Sequence, residues 1–386
     1  MYNVLTLNKI SPAGLNQLDP AKYVYGDTIE NPDAIIVRSA KMHDMELPDS
    51  LLAIARAGAG TNNIPVDKCT EKGIVVFNTP GANANAVKEL VICGLLLASR
   101  KVVPGIDFAN SLKGSGDEYS KKVEKGKSAF KGPEIQGKKL GVIGLGAIGV
   151  LVANAAKGLG MEVYGYDPYL SVDAAWNLSS TIHHAAKLDE IFANCDYITV
   201  HVPLNDDTKD TINAESIAKM KDGVRILNFA RGGLVNTDDM IAALGKGKVA
   251  SYVTDFADDA LLGVPGVVAM PHLGASTPES EDNCAHMAAF ELSEYLESGN
   301  IKNSVNLPNA EMPLNAAHRL TVIHKNVPNV INKVTGLFTD FNINDFMNRS
   351  KGDIAYTIVD TDAELTDEMV NTIKNMEGVI RTRVVK

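Results

Sequence analysis

The chain has 386 residues, 45% of them apolar and 22% charged, with 37 Lys and Arg against 47 Asp and Glu for a net charge of −10. That length exceeds what one compact core usually holds and predicts two or three domains, while the ordinary composition excludes disorder and fibrous repeats. The acidic excess disfavours nucleic acid and anionic membranes as partners, so an anionic ligand needs locally placed cations. The four cysteines, Cys69, Cys93, Cys195 and Cys284, form no CxxC pair; they read as reduced thiols, with neither a disulfide framework nor a metal site. Met1–Ile10 carries no basic segment followed by an apolar one, so no secretory signal is expected. The longest apolar run, Leu140–Ala153, is glycine-laced and shorter than the roughly 18 residues of a membrane span. These features predict a cytoplasmic protein.

In chain order, Ala34–Arg38, Leu52–Ala57 and Ile74–Asn78 read as β-branched strands separated by helical segments, the pattern of βαβ units on a parallel sheet. Ala84–Lys101 reads as a long apolar helix leaving this first unit. The lysine-rich stretch Lys113–Lys131 also carries Asp117, Glu118 and Glu124, and reads as a solvated face more readily than as an anion site. A second series places strands near 139–144, 162–167, 196–202, 224–230, 249–256 and 267–270, enough for a doubly wound sheet. Thr277-Pro278-Glu279 opens a helix to about Ser298, with Pro at its first position and an acid in its first turn. Asn306-Leu307-Pro308 and Pro313 punctuate a linker. The tail holds strand candidates at Arg319–His324, Asp353–Val359 and Ile380–Val384 with helices between, a small α+β module.

The strongest local motif is Gly144-Leu145-Gly146-Ala147-Ile148-Gly149. It follows the strand 139–143, opens a helix, and is succeeded by a strand ending at Asp167, eighteen residues past Gly149. That context is the dinucleotide fingerprint. Gly144 permits the tight turn, Gly146 the approach of the pyrophosphate, and Gly149 close packing of helix on strand; the phosphates then face a helix N-terminus. Asp167 would accept from the ribose hydroxyls, and with Pro168 and Tyr169 behind it no cation awaits a 2′-phosphate, so NAD is favoured over NADP. Asn228-Phe229-Ala230-Arg231-Gly232-Gly233 closes another strand. There Arg231 can hold a planar carboxylate in two-point contact, the alternative being a pair with a surface acid. Pro271-His272-Leu273-Gly274-Ala275 closes a third strand, and an imidazole at such a position can take a hydroxyl proton.

Together GLGAIG, NFARGGLV and PHLGAST, in this order, resemble the D-isomer-specific 2-hydroxyacid dehydrogenase family over about residues 1–305. The resemblance implies a Rossmann-type NAD domain, residues 86–284, inserted in a flavodoxin-like substrate domain, residues 1–85 and 285–305. A linker at 306–316 and an α+β module at 317–386 similar to an ACT domain follow. Within the family the likeness is to members that oxidise 3-phosphoglycerate to 3-phosphohydroxypyruvate, the first step of phosphorylated serine synthesis. It assigns acid/base work to His272 and substrate clamping to Arg231. Ala147, Ile148, Asp167, Val202, Pro203, Phe229, Ala230, Asp255, Gly274 and Ala275 line the NAD path. Arg38, Ser39, Arg56 and Asn83 bind substrate, in a crevice that closes by a hinge.

Three departures from the family pattern stand out. No glutamate lies between Asp255 and His272 to orient the imidazole; Asp258 is the first candidate and Asp259 the second. Asn63 stands where an aspartate is usual, and Ala86 where a serine is. In the tail, His324, Asn326 and, from a facing element, Asn344 are similar to the serine-binding turn of ACT domains, with Asn329 where glycine is usual. L-serine as effector and a homodimer or homotetramer are the implied partners. Two rival readings stay open: a dehydrogenase for glycerate, hydroxypyruvate or another D-2-hydroxyacid, and a non-catalytic NAD-sensing regulator.

Overall fold

The computed structural model describes residues 1–339 and 342–385. Five parallel strands come first: β1 (Tyr2–Leu7), β2 (Tyr23–Gly26), β3 (Ala34–Val37), β4 (Ala53–Arg56) and β5 (Val75–Asn78), in the order β2-β1-β3-β4-β5. Seven more follow: β6 (Lys139–Ile143), β7 (Glu162–Tyr166), β8 (His183–His184), β9 (Tyr197–Val200), β10 (Val224–Asn228), β11 (Val249–Thr254) and β12 (Val267–Ala269), also parallel, in the order β12-β11-β10-β9-β6-β7-β8. The tail contributes β13 (His318–Lys325), β14 (Ile343–Lys351), β15 (Ile354–Thr361) and β16 (Val379–Val384), antiparallel, in the order β14-β15-β13-β16.

The expected class is what the chain adopts. The first sheet has the flavodoxin-like order and the second the Rossmann order, whose direction of winding reverses between β6 and β9, where such sheets take ligands. The strands of both are buried runs of Val, Ile and Ala, as parallel strands covered on two faces must be. Two details differ from the sequence expectation. β1 and β2 add to the first sheet, and no helix links β3 to β4; that crossing is an irregular loop over Arg38–Leu52, with Pro48 within it.

Residues 1–83 and those from 278 onward form one compact unit, and Ala84–Thr277 another. In the first unit, helix Pro278–Ser298 buries Cys284, Ala285, Ala288, Leu292 and Tyr295 in one core with Val4, Ile36, Ala55 and Phe77. Gly14 makes this close fit possible, since a Cβ there would lie 2.3 Å from the Ala285 carbonyl carbon. The tail sheet belongs to the same unit. Leu320, Val322 and Val359 meet helix residues Val330, Val334 and Ile373, while Ile323, Tyr356 and Ile358 join the core containing Tyr295. At their junction Arg319 is fully buried and uses all five N–H donors. Two go to the Asp360 carboxylate at 2.6 and 2.7 Å, and three to the carbonyls of Ser298, Met312 and Pro313. In the second unit, helix Ala84–Ser99 packs on β10 and β11 through Val87, Val91 and Leu95, opposite Leu227, Phe229 and Val253.

Candidate active site

The glycine turn after β6 is shaped by what cannot fit. Gly144 takes φ 91°, and a Cβ there would sit 2.6 Å from the His201 carbonyl oxygen; one on Gly149 would sit 1.9 Å from the Gly144 oxygen. Gly146 is different, because its Cβ direction meets nothing within 4 Å. Helix Ala147–Gly158 begins there with no side-chain cap, so its first N–H groups and its positive dipole end face that open space. A pyrophosphate fits these features. Asp167 closes the turn from β7: one carboxylate oxygen accepts from Leu145 N and the other from Tyr169 N, both at 2.8 Å. Each retains lone-pair capacity for ribose hydroxyls. Val202, half-buried, and Pro203, exposed, lie just past β9, with Val202 Cγ1 against Gly144.

Two strand-end loops supply the chemistry-bearing side chains of this unit. After β10, buried Asn228 brackets its own loop, accepting from Ala230 N at 3.1 Å and donating to the Arg231 carbonyl at 2.9 Å. Phe229 is buried, whereas Arg231 is exposed and its guanidinium donates to the Ala230 carbonyl at 2.7 Å. It forms no ion pair among the described residues, so the surface-pair alternative does not describe it. After β12, His272 is exposed, its ring 4.4 Å from that of Phe256. Beneath that loop lies Asp255, 4% exposed, accepting from Gly274 N at 3.3 Å; its Oδ1 has no partner. Burial raises the Asp255 pKa, opposed by the charge of His272 and by the N–H groups of Gly274, Asp255 itself and Leu273.

Asp258 is placed otherwise than its candidacy required. One oxygen accepts from Thr237 Oγ1 at 2.7 Å, and the other caps the short 3₁₀ turn at Leu261 N. Asp259 is exposed in that turn. Of the three aspartates it is Asp255, buried beneath the His272 loop, whose charge is coupled to that of His272. His201 is no competitor to His272, since burial pushes its pKa down to about 4 and keeps it neutral beside Thr199.

In the first unit, Arg38 follows β3 and Arg56 ends β4, with Val37 opposite Arg56 in the ladder. Arg56 Nε donates to the Arg38 carbonyl at 3.1 Å, and its guanidinium lies over Gly58. Arg38 meets Glu281, in the first turns of helix Pro278–Ser298, at 2.7 Å. The surrounding loops are pinned by amides, among which Asn8 and Asn78 carry no role in the sequence expectation. Asn8 Oδ1 accepts from the N–H groups of Ser39 and Ala40, and Asn78 Nδ2 donates to the Ala59 carbonyl. Asn63 donates to the Ala40 carbonyl at 2.9 Å, which an ionised aspartate at this position could not do. Asn8 takes φ 71° directly after β1, a left-handed conformation that asparagine tolerates. Asn83 is half-buried just ahead of the helix that begins the second unit, and Ala86 is buried within that helix.

In the tail, His324 is 2% exposed, with Nε2 3.0 Å from Thr357 Oγ1 and 3.3 Å from Asn348 Oδ1. Asn326 donates to the Gly352 carbonyl, and Asn329 takes the left-handed conformation at φ 70°. Asn344 sits on β14 at the bulge between Ile343 and Asp345, near the rung that leads through Thr361 to His318, the opposite end of β13 from His324. Within one chain these three do not come together.

Residues 106–274 match the model of the D-isomer specific 2-hydroxyacid dehydrogenase NAD-binding domain. The chain is 37% identical over 292 residues to a D-3-phosphoglycerate dehydrogenase of Methanocaldococcus jannaschii, a match covering 73% of this chain and 53% of that one. It is 31% identical over 358 residues to the D-3-phosphoglycerate dehydrogenase of Haemophilus influenzae, covering 88% and 82%. Among solved structures it is similar to an NAD⁺-bound 3-phosphoglycerate dehydrogenase of Entamoeba histolytica, at 26% identity and a TM-score of 0.57, covering 79% of this chain and 98% of that one. The chain thus spans about half the length of the Methanocaldococcus relative.

Proposed function

Because the chain belongs to the D-isomer-specific 2-hydroxyacid dehydrogenase family, we propose that it oxidises 3-phosphoglycerate to 3-phosphohydroxypyruvate with NAD as acceptor. The observation that carries the substrate choice is the pair of arginines at adjacent strand ends, Arg38 and Arg56, joined through the Arg38 carbonyl. In a chain of net charge −10 such a cation pair suits a dianionic phosphate.

In this reading the helix N-terminus after Gly146 and the Asp167 carboxylate hold NAD, which when bound accepts hydride from the substrate's hydroxyl-bearing carbon. His272 Nε2 or Nδ1 takes the hydroxyl proton. Asp255 stabilises the imidazolium that forms, because a buried, half-satisfied carboxylate gains most from a cation beside it. Arg231 leaves the Ala230 carbonyl for the substrate carboxylate, and Ser39 and Asn83 complete the binding set. The first unit, residues 1–83 with the helix that begins at Pro278, binds substrate, and Ala84–Thr277 bind NAD, so the boundaries fall a few residues from the expected 85/86 and 284/285. The tail forms an ACT-like module with L-serine as effector at His324 and Asn326, with Asn344 supplied by a second copy of the chain. The protein is a cytoplasmic homodimer or homotetramer. No helix among the described residues is long and apolar enough to cross a membrane.

The test follows NADH absorbance in the reducing direction with 3-phosphohydroxypyruvate and with hydroxypyruvate. A large preference for the phosphorylated substrate is the expected result. Equal rates would move the protein to the general hydroxyacid reductases, and NADH binding without turnover would leave a regulatory role.

A further inference from the structure

The geometry points to Glu281 as a resident counter-anion that occupies Arg38 before substrate does and sets how much negative charge a ligand must bring to displace it. This inference rests on reading Arg38 as a phosphate ligand. Glu281 Oε1 lies 2.7 Å from Arg38 Nη2, and both side chains are about half exposed. The backbone is held on both sides of the pair. The Arg38 backbone carbonyl is held by Arg56, and the next two N–H groups by Asn8. The helix carrying Glu281 is locked against the segment at Gly14 and tied through Ser11 Oγ to Asp282 Oδ1. A carboxylate is therefore delivered to the edge of the arginine pair by the fold itself.

The consequence is a competition. Arg38 and Arg56 concentrate positive charge at adjacent strand ends, and Glu281 offsets part of it in the ligand-free chain. A phosphate dianion approaching Arg38 meets a carboxylate already in place, so it must displace Glu281 and tolerate its charge nearby. An exposed pair of this kind is weak, which lets a dianion succeed where a monoanion gains nothing over the carboxylate it replaces. Glu281 thereby weakens substrate binding and sharpens the requirement for phosphate.

Calorimetry with 3-phosphoglycerate and steady-state kinetics with 3-phosphohydroxypyruvate test this on the full chain, using Glu281→Gln, Arg38→Gln and the double variant. Glu281→Gln is expected to tighten 3-phosphoglycerate and lower KM for the phosphorylated substrate by about threefold to tenfold, with the change in KM and not kcat. In the Arg38→Gln background the same substitution should do nothing. Glu281→Ala, with thermal unfolding alongside, guards against an effect on folding. An unchanged or raised KM in Glu281→Gln overturns the inference, because it would make Glu281 a support for Arg38 and not its competitor. If Arg38→Gln alone leaves phosphate preference intact, the reading of Arg38 fails and the inference with it. That outcome is distinguishable because it needs no Glu281 variant.

Discussion

The second unit offers anions its backbone: a glycine turn, the N–H groups of an uncapped helix start, and loops that carry one exposed Arg and one exposed His. The first unit offers the half-exposed side chain of Arg38, which comes with a partner from far along the chain, Glu281, much as buried Arg319 comes with Asp360. Backbone dipoles carry no net charge, so they need no counter-ion and can be built from six consecutive residues. A guanidinium that collects a carboxylate, as Arg38 does and Arg231 does not, depends on where a distant helix or strand delivers one. The lesson is that the two kinds of anion site fail differently: one by steric intrusion, the other by loss of a partner.

The largest expected break is chemical. His272→Gln should lower kcat by about 10²- to 10⁴-fold while NADH affinity, read by fluorescence titration, stays within about twofold. Comparable losses in both would remove the acid/base role. Next is the charge network. Arg319→Met leaves Asp360 buried and uncompensated, and should cost about 3–5 kcal/mol in chemical unfolding, with most of that recovered in Arg319→Met/Asp360→Leu. An equal loss in the double variant would mean that the carbonyl contacts, not the charge pair, carry the stability.

A third test uses pH. Glu291 is 3% exposed, accepts from Asn303 at 2.6 Å through one oxygen, and has no partner on the other; burial pushes its pKa up to about 8 against the pull of Asn303 and Lys302. Between an unfolded value near 4.5 and a folded value near 8 the native state binds the extra proton. This group's contribution therefore lowers stability as pH rises through that window. Glu291→Gln should flatten the slope and leave the variant more stable at pH 8, by on the order of 3 kcal/mol. The smallest effect separates two glycines. Gly149→Ala should cost about 1–3 kcal/mol of stability, whereas Gly146→Ala should leave the melting temperature unchanged and weaken NADH by about tenfold. If both destabilise alike, the open space at Gly146 is not a ligand site.

These contrasts also explain what could be read in advance. The Gly144–Gly149 turn, the strands at 139–143 and 224–228 and the helix Pro278–Ser298 are local patterns, in which a period or a glycine spacing carries the geometry. β1 and β2 escaped notice because Tyr2–Leu7 and Tyr23–Gly26 are short and interrupted by Asn3, Thr6 and Gly26. β14 escaped because it is an edge strand, mostly exposed, with no alternating apolar face. Asp258 attracted attention by its place in sequence, yet the adjoining 3₁₀ turn and Thr237 take both its oxygens. Asn8 and Glu281 could not be assigned, since their targets are set by tertiary fold.

The buried Arg319 also bears on how such a tail could be exchanged among relatives. Its receptors are an aspartate on a neighbouring strand and three carbonyls that belong to the end of the long helix and to the linker. A chimera cut at the linker would carry the guanidinium away from the oxygens that accept it, and would bury a cation against a stranger's backbone. The transferable piece therefore begins upstream of Ser298. In this chain the last seventy residues are inherited together with the helix they lean on.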